Sequence, residues 1–259
     1  MKIVVVTQEE PFYLPLFMQR VAERRAKDIV AMVILSPASG KGGWRRTIQR
    51  HLMLYGWGDF LTQSLRFVTY KLIDRVGWKP NGRFYSIRRI AQHYHIPIYT
   101  PRNINDETFL AQLRELEPDV VVSAAAPQIF RQGILSLPKH GCINVHSALL
   151  PKYRGMLPSF WVLANGETET GVTVHYMDEK LDNGDIILQR RVPIAPDETQ
   201  HSLLLKTKTL GAELVLEALD QIENGTVSPQ PNDAAQATYF SFPTPEDVRR
   251  FRASGKRFR

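Results

Sequence analysis

Asn144 and His146 stand two residues apart at the end of an apolar run, Cys142-Ile143-Asn144-Val145-His146. A stretch containing Pro151 and Gly155 follows at once. In extended backbone alternate residues point to one side, so an amide and an imidazole lie next to each other. Both can hydrogen-bond a single oxygen, which is what a developing oxyanion needs. Further on, the polar turn Leu181-Asp182-Asn183-Gly184-Asp185-Ile186 holds a carboxylate. Asp182 in contact with His146 would fix its tautomer and favour its charged form. Such a trio suits attack on a carbonyl, with the proton moved by His146 or by Asp182 through water. Rival chemistries are less well served. Ser147 is adjacent to His146 and points away from it in extended backbone, His93 and His95 alternate without a third ligand, and Cys142 is the single cysteine. No metal site is expected.

The trio has meaning only if the elements put it together. Residues 2–7 form a continuous β-branched run, as in a strand buried on both faces of a parallel sheet. Residues 11–27 carry Leu14, Phe17, Met18, Val21 and Ala22 at helical spacing, and residues 29–35 read as a second strand. Helices are expected over residues 86–94 and 106–116, with a strand at 96–99 between them. A buried strand over 119–124 and a helix over 129–137 then lead to the strand that ends in His146. Strands over 170–177 and 186–192 flank the Asp182 turn, and residues 199–223 form the last long helix. This order predicts an α/β fold, a doubly wound and mostly parallel sheet, with ligands at the strand ends. The domain is expected over residues 1–195, with a C-terminal helix and small extension over 196–259.

Two stretches stand apart. Residues 44–78 show helical stripes, Trp44, Ile48, Leu52 and Tyr55, then Leu61, Leu65, Val68, Leu72 and Val76, broken by Gly56 and Gly58. Arg45, Arg46, Arg50, Arg66, Lys71 and Arg75 occupy other faces. Such a basic amphipathic insertion suits a membrane surface, an RNA or another subunit, but helical stripes most often face a core, so packing on its own domain is the expectation. The C-terminal residues 249–259 are rich in arginine and read as a solvated tail. Two tempting motifs fail. The turn after the first strand lacks glycine, so no dinucleotide fingerprint is present. Around Lys41, Leu35 and Gly42 occupy positions where a phosphate loop needs Gly and Ser or Thr.

The chain has 259 residues, 43% hydrophobic and 23% charged, enough for a sizeable core. Its 33 Lys+Arg against 26 Asp+Glu give a net charge of +7, which favours anionic partners. No apolar run approaches the ~20 residues of a membrane span, and the start lacks the pattern of a secretion signal. A cytoplasmic protein is the expectation.

The run from Cys142 to His146, then Leu149-Leu150-Pro151-Lys152-Tyr153-Arg154-Gly155, Pro158, Gly166-Glu167-Thr168-Glu169-Thr170-Gly171-Val172-Thr173 and Leu181-Asp182-Asn183-Gly184-Asp185-Ile186, resembles the catalytic domain of formyltransferases that use 10-formyltetrahydrofolate. The resemblance is dense over residues 118–195. It implies a Rossmann-like formyltransferase fold and direct transfer of a formyl group, without a metal, from the folate to a primary amine. Asn144, His146 and Asp182 would be the catalytic trio. The folate would lie against Ala125, Ala126, Gln128 and Ile129 and against Asp178 and Leu181, largely through backbone contacts. Arg154 and Gly155 would lie beside the acceptor. One departure is the pair Ser147-Ala148, where the family commonly has its serine one place later.

Motif details are closer to the methionyl-tRNA and nucleotide-sugar branches than to the glycinamide ribonucleotide enzymes. An anionic amine carrier, tRNA among the candidates, is therefore the implied acceptor. A formyltetrahydrofolate hydrolase, a glycinamide ribonucleotide formyltransferase and a non-catalytic binding module are the alternatives, and a homo-oligomer is compatible with all of them.

Overall fold

The structure, a computed structural model, describes residues 1–36 and 43–259, apart from the side chains of Trp44 and Arg46. The rejected phosphate-loop stretch lies, but for Gly43, outside the described residues.

Strand β1 (Ile3–Gln8) is an interior strand of a seven-stranded sheet. Helix α1 (Leu14–Arg25) returns the chain to β2 (Ile29–Leu35), and α3 (Ile87–His93) leads to the short β3 (Ile98–Tyr99). Then α4 (Glu107–Glu115) crosses back to β4 (Val120–Ser123), and α5 (Gln132–Leu135), only one turn long, precedes β5 (Cys142–His146). Short segments β6 (Arg154–Gly155) and α6 (Pro158–Ala164) lead into the hairpin of β7 (Glu169–Tyr176) and β8 (Ile186–Pro193). The sheet order is β3-β2-β1-β4-β5-β7-β8, parallel from β3 to β5, with β7 antiparallel to both its neighbours. The expected doubly wound, mostly parallel sheet is therefore present.

The uninterrupted apolar character of β1 has a direct cause. Ile3 and Val5 pack into a core with α1, α3 and the C-terminal helix α7 (Gln200–Glu223), while Val4 and Val6 pack on the other face with α4. Helix ends follow local chemistry: Ser86, Asp106 and Thr199 cap α3, α4 and α7 by accepting backbone N–H groups. Because β1 lies between strands reached in opposite directions, the sheet has its switch point between β1 and β4. There Thr7 Oγ1 donates to the Ala124 carbonyl at 2.9 Å.

Three expectations need correction. The boundary near residue 195 is not a break in packing, because Leu214, Val215, Leu219 and Ile222 of α7 belong to the central core with β1 and α1. The arginine-rich end is not a solvated tail. Within and after α8 (Pro245–Ala253), Phe251 and Phe258 are buried against Phe160, and the Arg257 and Phe258 carbonyls accept from the N–H groups of Gln200 and His201. The sequence signal was the interleaved Phe251 and Phe258, outweighed by their charged neighbours.

The insertion is helical, as expected, forming α2 (Gly43–Arg75), bent at Gly56 where φ is +67°. Its first half packs on the domain, Tyr55 of the expected stripe against Phe258, but the buried residue is Leu54, whose carbonyl accepts from Arg252 Nη2 at 2.9 Å, while Ile48 is exposed. In its second half the expected stripe does not pack. Leu61, Leu65, Val68 and Leu72 are exposed, and the domain-facing side carries Arg66, Phe67, Tyr70 and Asp74 instead.

Candidate active site

The antiparallel pairing of β5 with β7 sets the site. Asn144 lies opposite His175 and His146 opposite Thr173, so the alternate residues of two strands project on one side. The β7–β8 connection then brings Asp182 over the β5 strand end. Asp182 has φ +49°, and the turn closes tightly at Gly184, where an added Cβ would sit 2.1 Å from the Tyr176 carbonyl oxygen. Only glycine permits that approach.

Asn144 and His146 converge on the two oxygens of the Asp182 carboxylate. Asn144 Nδ2 is 3.5 Å from Oδ1, and His146 Nδ1 is 3.6 Å from Oδ2. The carboxylate also accepts the Gly155 N–H at 2.8 Å. His146 is almost wholly buried, and its Nε2 lies 2.8 Å from the Tyr153 carbonyl oxygen. A carbonyl can only accept, so Nε2 carries the proton and Nδ1 presents its lone pair toward Asp182. Burial is the largest influence on His146 and drives its pKa below 6.5, although Asp182 and the Tyr153 carbonyl pull the other way. Burial also works against the charge on Asp182. His146, His175 and the Gly155 N–H outweigh it and hold the carboxyl below the ordinary carboxylate range. At neutral pH the pair is a neutral imidazole beside an ionised carboxylate.

His175 is a member that sequence reasoning missed. Its Nδ1 donates to the Tyr176 carbonyl at 2.7 Å, so its Nε2 accepts from Asn144 Nδ2 at 3.2 Å. This bond takes one Asn144 N–H and leaves the other directed toward the carboxylate. The available signal was its position, two residues after Thr173 on the strand that had to lie beside β5.

Behind the trio, the loop after β5 is pinned by Thr173, whose Oγ1 donates to the Ala148 carbonyl at 2.7 Å and accepts the Leu150 N–H at 3.2 Å. Ser147, the displaced serine, sits 3.3 Å from the Nζ of the half-buried Lys208. Cys142 is buried and its thiol is pushed up to about 12, so it is not a nucleophile at neutral pH.

The remaining predicted residues divide. Ala125 and Ala126 follow β4 at the switch point, with Ala125 in left-handed backbone, and Ile129 is 71% exposed. Gln128 instead uses its side chain to tie a neighbouring loop, accepting the Ile104 N–H and donating to the Arg102 carbonyl. Asp178 organises its own turn, accepting from the Lys180 N–H and from Asn183 Nδ2, while Leu181 is exposed. A hollow of about 390 Å³ lined by Gln132, Met177, Asp178 and Lys180 lies beside that turn.

Arg154, expected beside the acceptor, is fully buried. It donates to Asn183 Oδ1, the Tyr239 hydroxyl and both Asn232 oxygens, and so ties the Asp182 turn to the C-terminal region. Gly155 likewise serves the interior. Its N–H holds Asp182, and a Cβ there would meet the Phe240 carbonyl oxygen at 2.3 Å, because β6 pairs with β9 (Tyr239–Phe240).

Comparison with known proteins agrees with this architecture. The chain is 43% identical over 174 residues to a methionyl-tRNA formyltransferase of Geobacter metallireducens, a match covering 65% of this chain and 56% of that protein. With the methionyl-tRNA formyltransferase of Kosmotoga olearia it shares 37% identity over 207 residues, 76% of this chain and 67% of the relative. The chain thus spans about half to two thirds of the length of such relatives. Among solved structures, the N-formyltransferase from Helicobacter canadensis, in complex with folinic acid and dTDP-3-aminofucose, superposes with a TM-score of 0.60 at 20% identity, over 93% of this chain and 71% of that one. Glycinamide ribonucleotide transformylase 1 from Symbiobacterium toebii gives 0.59 at 17% identity, over 90% of this chain and 94% of that one. These two likenesses concern the fold. The formyl transferase family profile matches residues 73–219, more than half of the chain, and the chain belongs to that family.

Proposed function

We propose that the protein transfers the formyl group of 10-formyltetrahydrofolate to a primary amine on an anionic carrier. The observation that carries this reading is the convergence of Asn144 and His146 on one ionised carboxylate at the carboxyl edge of the sheet. An amide donor on one side and an unprotonated imidazole nitrogen on the other suit the two demands of the reaction. As the amine attacks the formyl carbon, the carbonyl electron pair moves onto oxygen, to which Asn144 Nδ2 redirects the N–H of its long 3.5 Å contact with Asp182, the other N–H staying on His175. The attacking nitrogen gains positive charge and gives its proton to His146 Nδ1. The imidazolium so formed is stabilised by Asp182, with the Tyr153 carbonyl still holding Nε2. Collapse breaks the bond to the folate nitrogen, which takes the proton from Nδ1 and leaves as tetrahydrofolate. His175 acts through Asn144 as a positioning residue.

The partly exposed loop from Ala125 to Ile129, which follows the strand beside β5, and the turn of Asp178 are the surfaces proposed for a flat donor. Identity to methionyl-tRNA formyltransferases, together with the +7 charge, favours an aminoacylated tRNA as acceptor. A nucleotide-linked amino sugar is the second reading, favoured by superposition on sugar N-formyltransferases over 93% of the chain. Mass spectrometry after incubation with 10-formyltetrahydrofolate and each acceptor tests the proposal: one amine gains a formyl group while tetrahydrofolate appears in equal amount. Formate release at a rate unaffected by any amine would instead establish a hydrolase.

A further inference from the structure

The second half of α2 is turned inside out. Trp57, Leu61, Leu65, Val68, Leu72 and Val76 recur at intervals of three and four residues, so they form one stripe. All six are more than half exposed, from 52% for Val68 to 75% for Val76. The opposite side, with Arg66, Tyr70 and Asp74, faces the domain: Arg66 Nη2 donates to the Tyr70 hydroxyl, Tyr70 packs on Tyr85, and Asp74 accepts from Ser86 Oγ. Together the six side chains present on the order of 600 Å² of apolar surface, the upper end of what ordinary monomers show in one patch.

What surrounds the stripe identifies its partner. Residues 57–79 hold four Lys or Arg and two Asp, of which Arg66 and Asp74 are on the domain-facing side. Arg75 and Lys79 are exposed, and among the described residues neither they nor Lys71 have a carboxylate within ion-pair distance. Trp57 begins the stripe and Trp78, 62% exposed, follows it. An aliphatic face edged by cations and ended by tryptophans matches the boundary of a bilayer with anionic headgroups, where indole rings favour the interface and lysine and arginine meet phosphate. The stripe spans roughly 30 Å along the helix at the α-helical rise, lying flat. Among the described residues, no helix is long and apolar enough to cross a membrane. A second copy of the chain would bring the same cations against each other.

We infer that the outer face of α2 and of the turn that follows it, from Trp57 to Trp78, is a docking surface for an anionic lipid bilayer. Co-sedimentation of the full chain with phosphatidylcholine vesicles, alone or with one part in three phosphatidylglycerol, tests this. Binding is expected to the anionic vesicles, with a blue shift of tryptophan emission, and to weaken at high salt. Leu65→Glu with Leu72→Glu is expected to lower partitioning at least tenfold without changing the melting temperature or the formyl transfer rate. Lys71→Gln and Arg75→Gln should each lower it roughly fivefold. The proposal is overturned if the anionic vesicles leave the protein in the supernatant, or if the double variant still sediments with them. It is also overturned if light scattering shows a dimer that the double variant splits, since the stripe then seats a second copy.

Discussion

The strand ends at β5 and β7 and the outer half of α2 depart from the usual distribution of polarity in opposite directions. At the strand ends a carboxylate and two imidazoles are withdrawn from water and held only by one another, by an amide and by backbone groups. On α2 a row of aliphatic side chains stands in water while polar groups face inward. Burying charge costs several kcal/mol unless it is paired, and exposing about 600 Å² of apolar surface forgoes a hydrophobic gain. Neither region is arranged to maximise the stability of the lone chain. The difference lies in what completes each: the first needs a small polar reactant between its groups, the second a broad apolar surface.

The largest expected effect lies at the strand ends. Asn144→Ala or His146→Ala should lower turnover on the order of 10²-fold or more, read as formylated amine by mass spectrometry. Asp182→Asn should remove most activity while donor binding stays measurable by fluorescence. It should also carry a pH signature. Neutral His146 is the working form, so kcat/KM falls as pH drops through a pKa below that of an ordinary histidine. Removing the Asp182 charge, which pulls that pKa up, moves the acid limb to lower pH. For stability the sign is fixed too. The folded pKa of Asp182 is depressed, so its contribution is full above the unfolded value of ~3.9 and is lost as pH falls below it.

Next in size is a contrast within one helix. Leu54→Ala, in the buried first half of α2, should cost about 3 kcal/mol in denaturant unfolding. Leu72→Ala, on the exposed second half, should stay within about 0.5 kcal/mol in vesicle-free buffer. Equal losses would mean that the stripe packs on protein in solution and would remove the contrast between the two regions. Arg154→Met sits between the two cases, since it removes four hydrogen bonds of a buried guanidinium that tie the Asp182 turn, through Asn183, to Tyr239 and the buried Asn232. It should cost about 3 kcal/mol and lower kcat more than it raises KM.

Much of this was legible in the sequence. The strand runs, the hairpin around Asp182 and the alternate placement of Asn144 and His146 are short-range patterns, and the sheet follows from their order. His175, Arg154 and the C-terminal phenylalanines were not, because their roles are set by contacts made far along the chain: Asn144 with His175, Arg154 with Asn232 and Tyr239, Phe160 with Phe251 and Phe258. The stripe of α2 was visible as a period, but period alone does not say which side meets the domain. That was decided by Tyr70 packing on Phe12 and Tyr85 and by Asp74 accepting from Ser86, with Arg66 holding the Tyr70 hydroxyl.

The most direct test of the central claim is a single-turnover incubation of the protein with 10-formyltetrahydrofolate and the amine identified by screening, with formyl-amine, tetrahydrofolate and formate followed together. Formyl-amine and tetrahydrofolate should rise in step, with little formate, and Asp182→Asn should suppress both. Unchanged product formation in Asp182→Asn, or formate in place of the formylated amine, would contradict a transferase built on Asn144, His146 and Asp182.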